Sequence, residues 1–129
     1  MNFTFGGKER LKSLLIIQKL FLQGKSVTHY PIKIVYLPVD FTDGSEVKVG
    51  VSVGKKNFKK AVDRNRIKRL LREAYRLNKH ILFNNISTSY ALMILYIGKD
   101  GTDFETINVK TKQTLTKLSE RIAANKILP

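Results

Sequence analysis

The side chains able to do chemistry crowd into one stretch. Residues 55–80 hold eleven of the chain's 24 lysines and arginines (Lys55, Lys56, Lys59, Lys60, Arg64, Arg66, Lys68, Arg69, Arg72, Arg76 and Lys79) against two acids, Asp63 and Glu73. At about 100° per residue of α-helix, Arg64, Lys68, Arg72 and Arg76 form one i,i+4 stack. Asn65 and Arg69 fall in the same sector and Arg66 at its edge, while Ile67, Leu70, Ala74, Leu77 and Ile81 gather opposite with Leu71 flanking them. Solvated helices ordinarily mix signs to gain i,i+4 pairs, and like charges so placed cost a few tenths of a kcal/mol each. A polyanion reverses that cost through phosphate pairing and counterion release. Arginine's planar fork suits bidentate phosphate contacts and stacking on bases.

No other constellation competes. His29 and His80 have no triad or metal-ligand spacing, no tight acidic cluster occurs, and the absence of cysteine removes disulfides and thiolate metal sites. No catalytic and no metal-binding residue is nominated. The chemistry on offer is recognition of a polyanion.

Composition agrees. The 129 residues suit a single domain, 43% hydrophobic content can build a core, and a formal net charge of +14 favours a polyanionic partner. The start, Met1 to Gly7, lacks the basic and apolar regions of a signal peptide. The longest apolar runs, Leu14–Ile17 and Ala91–Ile97, are far short of the roughly 20 residues that span a bilayer. A soluble, cytoplasmic protein is expected.

The elements that must position the basic stretch are legible in outline. Leu11, Leu14, Leu15, Gln18, Phe21 and Leu22 predict an amphipathic helix over about 9–23, with Gly24 as a left-handed C-cap. Ile32–Leu37, bounded by Pro31 and Pro38, predicts a strand, and Thr42–Ser45 a turn. Val47, Val49, Val51 and Val53 alternate with Lys48, Gly50, Ser52 and Gly54, placing four valines on one strand face. The glycines suit a strand that something approaches closely. The basic helix is expected over about 58–82 and a buried strand over 89–97. A last helix is opened by a capping box, Thr102 with Glu105, and carries an apolar stripe of Phe104, Ile107, Thr111, Leu115, Leu118 and Ile122. Helices against a small sheet make a mixed α/β sandwich. Whether the 123–129 tail joins the fold stays open.

Lys55-Lys56, Ala61-Val62 and the run Arg64-Asn65-Arg66-Ile67-Lys68-Arg69-Leu70-Leu71-Arg72-Glu73 closely resemble the signature of the bacterial ribonuclease P protein component. Glu9-Arg10-Leu11-Lys12, Gln18-Lys19-Leu20-Phe21 and Gly24-Lys25-Ser26-Val27 resemble its first helix and exit loop. Val49–Val53 and Tyr90–Ile97 resemble the strands around the basic helix, so the likeness covers most of residues 3–122. It implies an α+β two-layer sandwich of order αβββαβα, with a four-stranded mixed sheet, three helices and a short first strand near 25–29. It also implies a left-handed crossover between parallel strands, against the general rule.

By resemblance the active site lies in a catalytic RNA that uses Mg²⁺ to remove the 5′ leader of precursor tRNA. The protein, a monomer when free, would hold that RNA through Lys55, Lys56, Arg64, Asn65, Arg66, Lys68, Arg69 and Arg72, and grip the leader through Phe21 and Tyr36. Each position has a plainer reading. Asn65 could order a water or metal near the RNA or cap the helix, the lysine pair could merely solubilise, Phe21 could continue the core stripe, and Tyr36 stands evenly between core and cleft. Ile17, where many relatives place an aromatic, and Leu14-Leu15, where close relatives often carry basic residues, depart from the family pattern and weaken the expected leader grip. The competing functions are a ribosomal or other structural RNA-binding protein without a role in tRNA maturation, a self-sufficient ribonuclease, and a membrane-surface helix. The missing acid–base constellation argues against the second, and the lack of bulky aromatics on the basic helix's apolar side against the third.

Overall fold

A computed structural model describes residues 6–83 and 88–127, with side chains through residue 124. The elements are α1 (Leu14–Gln23), β1 (Lys25–His29), β2 (Ile32–Pro38), β3 (Val47–Val53), α2 (Ala61–Asn78), a single turn α3 (His80–Phe83), β4 (Tyr90–Tyr96) and α4 (Phe104–Ile127). The sheet order is β1-β2-β4-β3, with β1, β2 and β4 successively antiparallel and β3 parallel to β4. The αβββαβα order and mixed four-stranded sheet match expectation, the extra turn α3 aside. The tail becomes the end of α4 as far as Ile127.

The valine alternation does what its period dictates. Val47, Val49 and Val53 are buried and Val51 packs against them, on the face that also carries Ile32, Ile34, Tyr36, Leu92 and Ile94. α2 and α4 cover this face with Ile67, Leu71, Ala74 and Tyr75, and with Ile107, Leu115, Leu118 and Ile122. Asn78 ties the two helices together, donating to Asn108 Oδ1 at 2.7 Å and to the Ala74 carbonyl at 2.8 Å. On the opposite face Val35, Ala91 and Met93 pack with Leu11 and Leu20, and α1 lies there.

Four local expectations need correction. First, residues 7–9 form a 3₁₀ turn and Arg10 bridges to Val49, so the helix begins only at Leu14, capped by Ser13 Oγ accepting from Ile16 N–H. Second, with Leu11 outside the helix, α1 buries Leu20, Ile16 and Ile17. It leaves Leu14, Leu15 and Leu22 75%, 78% and 84% exposed, which inverts the expected stripe. Third, Gly24 is extended, at φ −70° and ψ 153°. Glycine is needed there because a Cβ would collide with the Leu20 carbonyl and come within 2.8 Å of Val35 Cγ1. Fourth, the α4 cap is Asp103, whose carboxylate accepts from Thr106 N–H at 2.9 Å; Thr102 lies one residue too early.

The arm before α1 is pinned at three points. Leu11 N–H donates to the Val49 carbonyl at 3.0 Å, partly closing the open edge of β3. Lys48 Nζ donates to the Lys8 carbonyl at 2.8 Å and pairs with Asp43, whose carboxyl is held well below its usual range by Lys48 and by Ser45. Lys79, almost fully buried at the end of α2, pairs with Glu9 at 2.8 Å. Among the described residues, no helix is long and apolar enough to cross a membrane.

Candidate RNA interface

α2 is rolled relative to its expected orientation. Tyr75 and Leu71 are fully buried, together with Ile67, Ala74 and Asn78, whereas Leu70 and Leu77 are only partly covered. The dry sector therefore sits nearer Arg64 than the periodicity suggested, because the ring of Tyr75 supplies bulk that an aliphatic tally overlooks. The cations consequently point in different directions.

Asn65 and Arg69 point straight outward and are exposed. Asn65 stands in the second turn of a helix that opens at Ala61 with Lys60 as N-cap, so its capping alternative falls. Arg66 leans toward the start of α4, where its guanidinium donates to the Thr102 carbonyl at 3.4 Å beside a small cavity lined by Phe58, Asp63 and Gly101. Lys68 and Arg72 are half-buried on the other flank. Among the described residues, none of Arg66, Arg69 and Arg72 pairs with a carboxylate, whereas Arg76 is neutralised by Glu73.

Arg64 works inward. Its guanidinium donates to the carbonyls of Phe58 and Lys59, at 2.8 Å each. It thereby fastens the loop carrying exposed Lys55 and Lys56 to the first turns of α2. Only Nη1 makes these two bonds, so Arg64 braces the loop of the neighbouring lysines while its Nε and Nη2 leave the expected RNA contact compatible with the geometry.

Arg72 opens onto a groove between the arm, α1 and β3. A cavity of about 270 Å³ is lined by Arg10, Lys12, Ile17, Gly50, Arg72 and Met93, among others. Burial and then the neighbouring Arg10 cation lower the pKa of Arg72. Two guanidiniums held near one another with no carboxylate on Arg72 make a seat for an anion. Gly50 keeps the floor low, since a Cβ there would meet Met93 Cε at 2.9 Å. Arg10 and Lys12 were missed as site residues because they were assigned to a helix; their proximity to β3 is a tertiary fact.

The two expected leader residues part company. Phe21 on α1 is 51% exposed and free to stack. Tyr36 is 4% exposed and lies on the face packed by α2 and α4, its ring 6.4 Å from that of Tyr90. Its burial favours the core reading of the two open to it, although the ring also borders a cavity of about 110 Å³ lined by Gln23 at the end of α1, Lys25 and Tyr90. Strand alternation puts Val35 on the α1 side instead, so an aliphatic residue occupies the place where an aromatic was sought.

The family model described as Ribonuclease P matches residues 5–119. A ribonuclease P protein component of Porphyromonas gingivalis is 37% identical over 132 aligned positions, covering 96% of this chain and 93% of that protein. One from Dictyoglomus thermophilum is 33% identical and covers 96% of each. Among solved structures, the RNase P protein of Staphylococcus aureus superposes with a TM-score of 0.68 at 21% identity, over 85% of this chain and 94% of that one. The RNase P protein from Thermotoga maritima gives 0.67 at 24%, over 84% and 96%. At these identities the superpositions establish the fold, and the matches in sequence establish descent: the chain belongs to the ribonuclease P protein family.

Proposed function

We propose that this protein, a monomer when free, is the RNA-binding subunit of a ribonuclease P, joining the catalytic RNA in the cytoplasm and helping it remove the 5′ leader from precursor tRNA. The observation that carries this reading is the set of uncompensated cations on α2. Among the described residues Arg66 and Arg69 are exposed without carboxylate partners, Asn65 is exposed beside them, and Lys55 and Lys56 extend the surface on a loop braced by Arg64. Such a surface binds phosphates and releases their counterions. The groove at Arg10, Lys12, Ile17 and Arg72, with exposed Phe21 one helical turn beyond Ile17 on α1, supports a second role as the leader channel. Cations there would hold backbone phosphates while Phe21 stacks on a base, a contact that tolerates any sequence.

Cleavage itself is assigned to the RNA. Among the described residues no three His, Asp or Glu side chains converge, so the chain's own donors do not fit a resident metal. Mg²⁺ belongs with the RNA in this reading, and no step is routed through the protein. The protein's part is to neutralise, position and retain.

The test is reconstitution with the cognate RNA at low Mg²⁺, comparing leader removal with and without the protein. Strong stimulation is expected, together with tighter binding of leader-bearing precursor than of mature tRNA. Cleavage that is the same with and without the protein would sink the proposal.

A further inference from the structure

α1 offers a face that neither the core nor the proposed RNA contacts use. With Leu14 as zero and about 100° per residue, the inward side chains Ile16, Leu20 and Ile17 fall between about 200° and 300°. The opposite crest, from zero to about 100°, carries Leu14, Gln18, Leu22 and Leu15, and its three leucines are each 75% exposed or more. Phe21, at about 340°, sits on the shoulder beside Ile17 and is left to the leader groove. Single exposed leucines are ordinary, but three on one crest of a ten-residue helix form a patch that burial would take out of water.

The crest is set in positive charge. Between Glu9 and Asp40 the chain carries Arg10, Lys12, Lys19, Lys25 and Lys33 and no acid. Lys19 lies about 40° from Leu15 around the helix. Lys12 precedes the helix, Lys25 follows it, and all three lysines are exposed. Among the described residues none of the three pairs with a carboxylate. Asp40 and Asp43 line a cavity on the Ile16 side of α1, turned away from the crest, and Asp43 is held by Lys48.

We infer that α1 docks this protein on the surface of an anionic phospholipid bilayer, with Leu15 and Leu22 entering the acyl boundary and Lys19 and Lys25 reaching lipid phosphates. This role is separate from RNA binding and does not rest on it. Helices that lie on a bilayer combine leucine or phenylalanine on one side with lysines at its margin. The lysine stems run along apolar surface while their heads stay among the phosphates. α2 cannot act this way, because its aliphatic side is packed on the sheet. Other occupants fit the crest less well. Three leucines expose well under the roughly 800 Å² per partner of a stable protein interface, and a second copy would bring another charge of +14 against the first. Leucine is also under-represented among the anchors of protein interfaces, where Trp, Tyr and Arg dominate. RNA phosphates take polar donors, which leucine lacks.

The chain has no tryptophan, so one placed on the crest reports its depth. Leu22→Trp is compared with Val109→Trp, a half-exposed position on α4, which covers the other face of the sheet. Both are mixed with vesicles of equal parts phosphatidylglycerol and phosphatidylcholine. The unsubstituted chain should float with the vesicles. Leu22→Trp emission should shift to the blue and be quenched by brominated acyl chains, with Val109→Trp unaffected. Leu15→Gln combined with Leu22→Gln should weaken partitioning roughly tenfold or more and leave thermal unfolding unchanged, since both leucines are exposed. Absence of flotation overturns the inference, as does equal quenching of both tryptophans. Quenching of neither also overturns it, by reducing binding to adsorption through net charge. Flotation of the leucine double variant at the unsubstituted level is equally fatal. If that variant instead loses self-association in sedimentation, or affinity for catalytic RNA, the crest belongs to a second copy or to RNA.

Discussion

At the scale of single residues, an arginine's value depends on what its donors already hold. Arg64, in the middle of the signature, commits Nη1 to two carbonyls and Arg66 commits Nη2 to the Thr102 carbonyl, whereas Arg69 is exposed. Replacing Arg66 and Arg69 together by glutamine should flatten the salt dependence of RNA binding by roughly two phosphate equivalents. Titrations at several salt concentrations check this, and an unchanged slope removes both residues from the interface. Tyr36→Ala should act on the fold, losing about 3 kcal/mol or more as a buried aromatic. Thermal unfolding will show a lowered midpoint, and the surviving folded protein should discriminate leader-bearing from mature tRNA as before. Ile17 lines the groove at Arg72. Ile17→Phe adds a ring where stacking is worth roughly 1–3 kcal/mol, so holoenzyme should bind leader-bearing precursor more tightly with mature tRNA unaffected. Equal changes for both ligands would place residue 17 outside the channel.

At the scale of elements, periodicity specified type and approximate extent, and tertiary contact specified which side faces in. α1 is so evenly apolar that two stripes could be drawn on it, and the sheet chose Ile16, Ile17 and Leu20. On α2 the large ring of Tyr75 turned the helix, bringing Arg72 to the groove. On α4 the stripe was read correctly because its alternatives carry charges, and only the cap was displaced, to Asp103. That cap is testable through pH. Thr106 holds the Asp103 carboxyl below its usual range, by its backbone N–H and then its hydroxyl. A depressed folded pKa contributes stability that is present above the unfolded value of about 3.9 and is lost as pH falls through the folded one. Asp103→Ala should therefore lower the unfolding midpoint at pH 7, with the gap to the unsubstituted protein narrowing toward pH 2. Asp103→Asn, which still caps, should lose less at pH 7. A gap equally wide at both pH values would show that the carboxylate's charge plays no part.

At the scale of the whole molecule, a charge of +14 is distributed over separate surfaces, and the fold must hold those surfaces in fixed relation. The arm before α1 does much of this, because the Glu9–Lys79 pair joins it to the end of α2. Breaking a buried pair leaves one charge stranded, at a cost of about 3–5 kcal/mol when both partners are enclosed. Glu9 keeps about a quarter of its side chain exposed, so Glu9→Gln should cost less, roughly 1–3 kcal/mol. Denaturant unfolding measures the loss. Leader affinity should fall further than catalytic-RNA affinity, since Arg10 is carried on the arm and Arg66 is not. Parallel losses would show that the arm does not position the groove.

The amino-acid sequence by itself pointed to a polyanionic partner, to the element order in outline and to the helix proposed to meet RNA, because these depend on residue type and on spacing within one segment. Net charge, the valine alternation and the run from Arg64 to Glu73 are properties a linear chain already possesses. Only the tertiary structure decided that Arg10 approaches Arg72, that Val35 and not Tyr36 faces α1, and that Lys117 and Arg121 flank β1. Each depends on how a helix is rolled or which face of a strand is covered. Packing between distant segments settles that choice, and no local pattern encodes it.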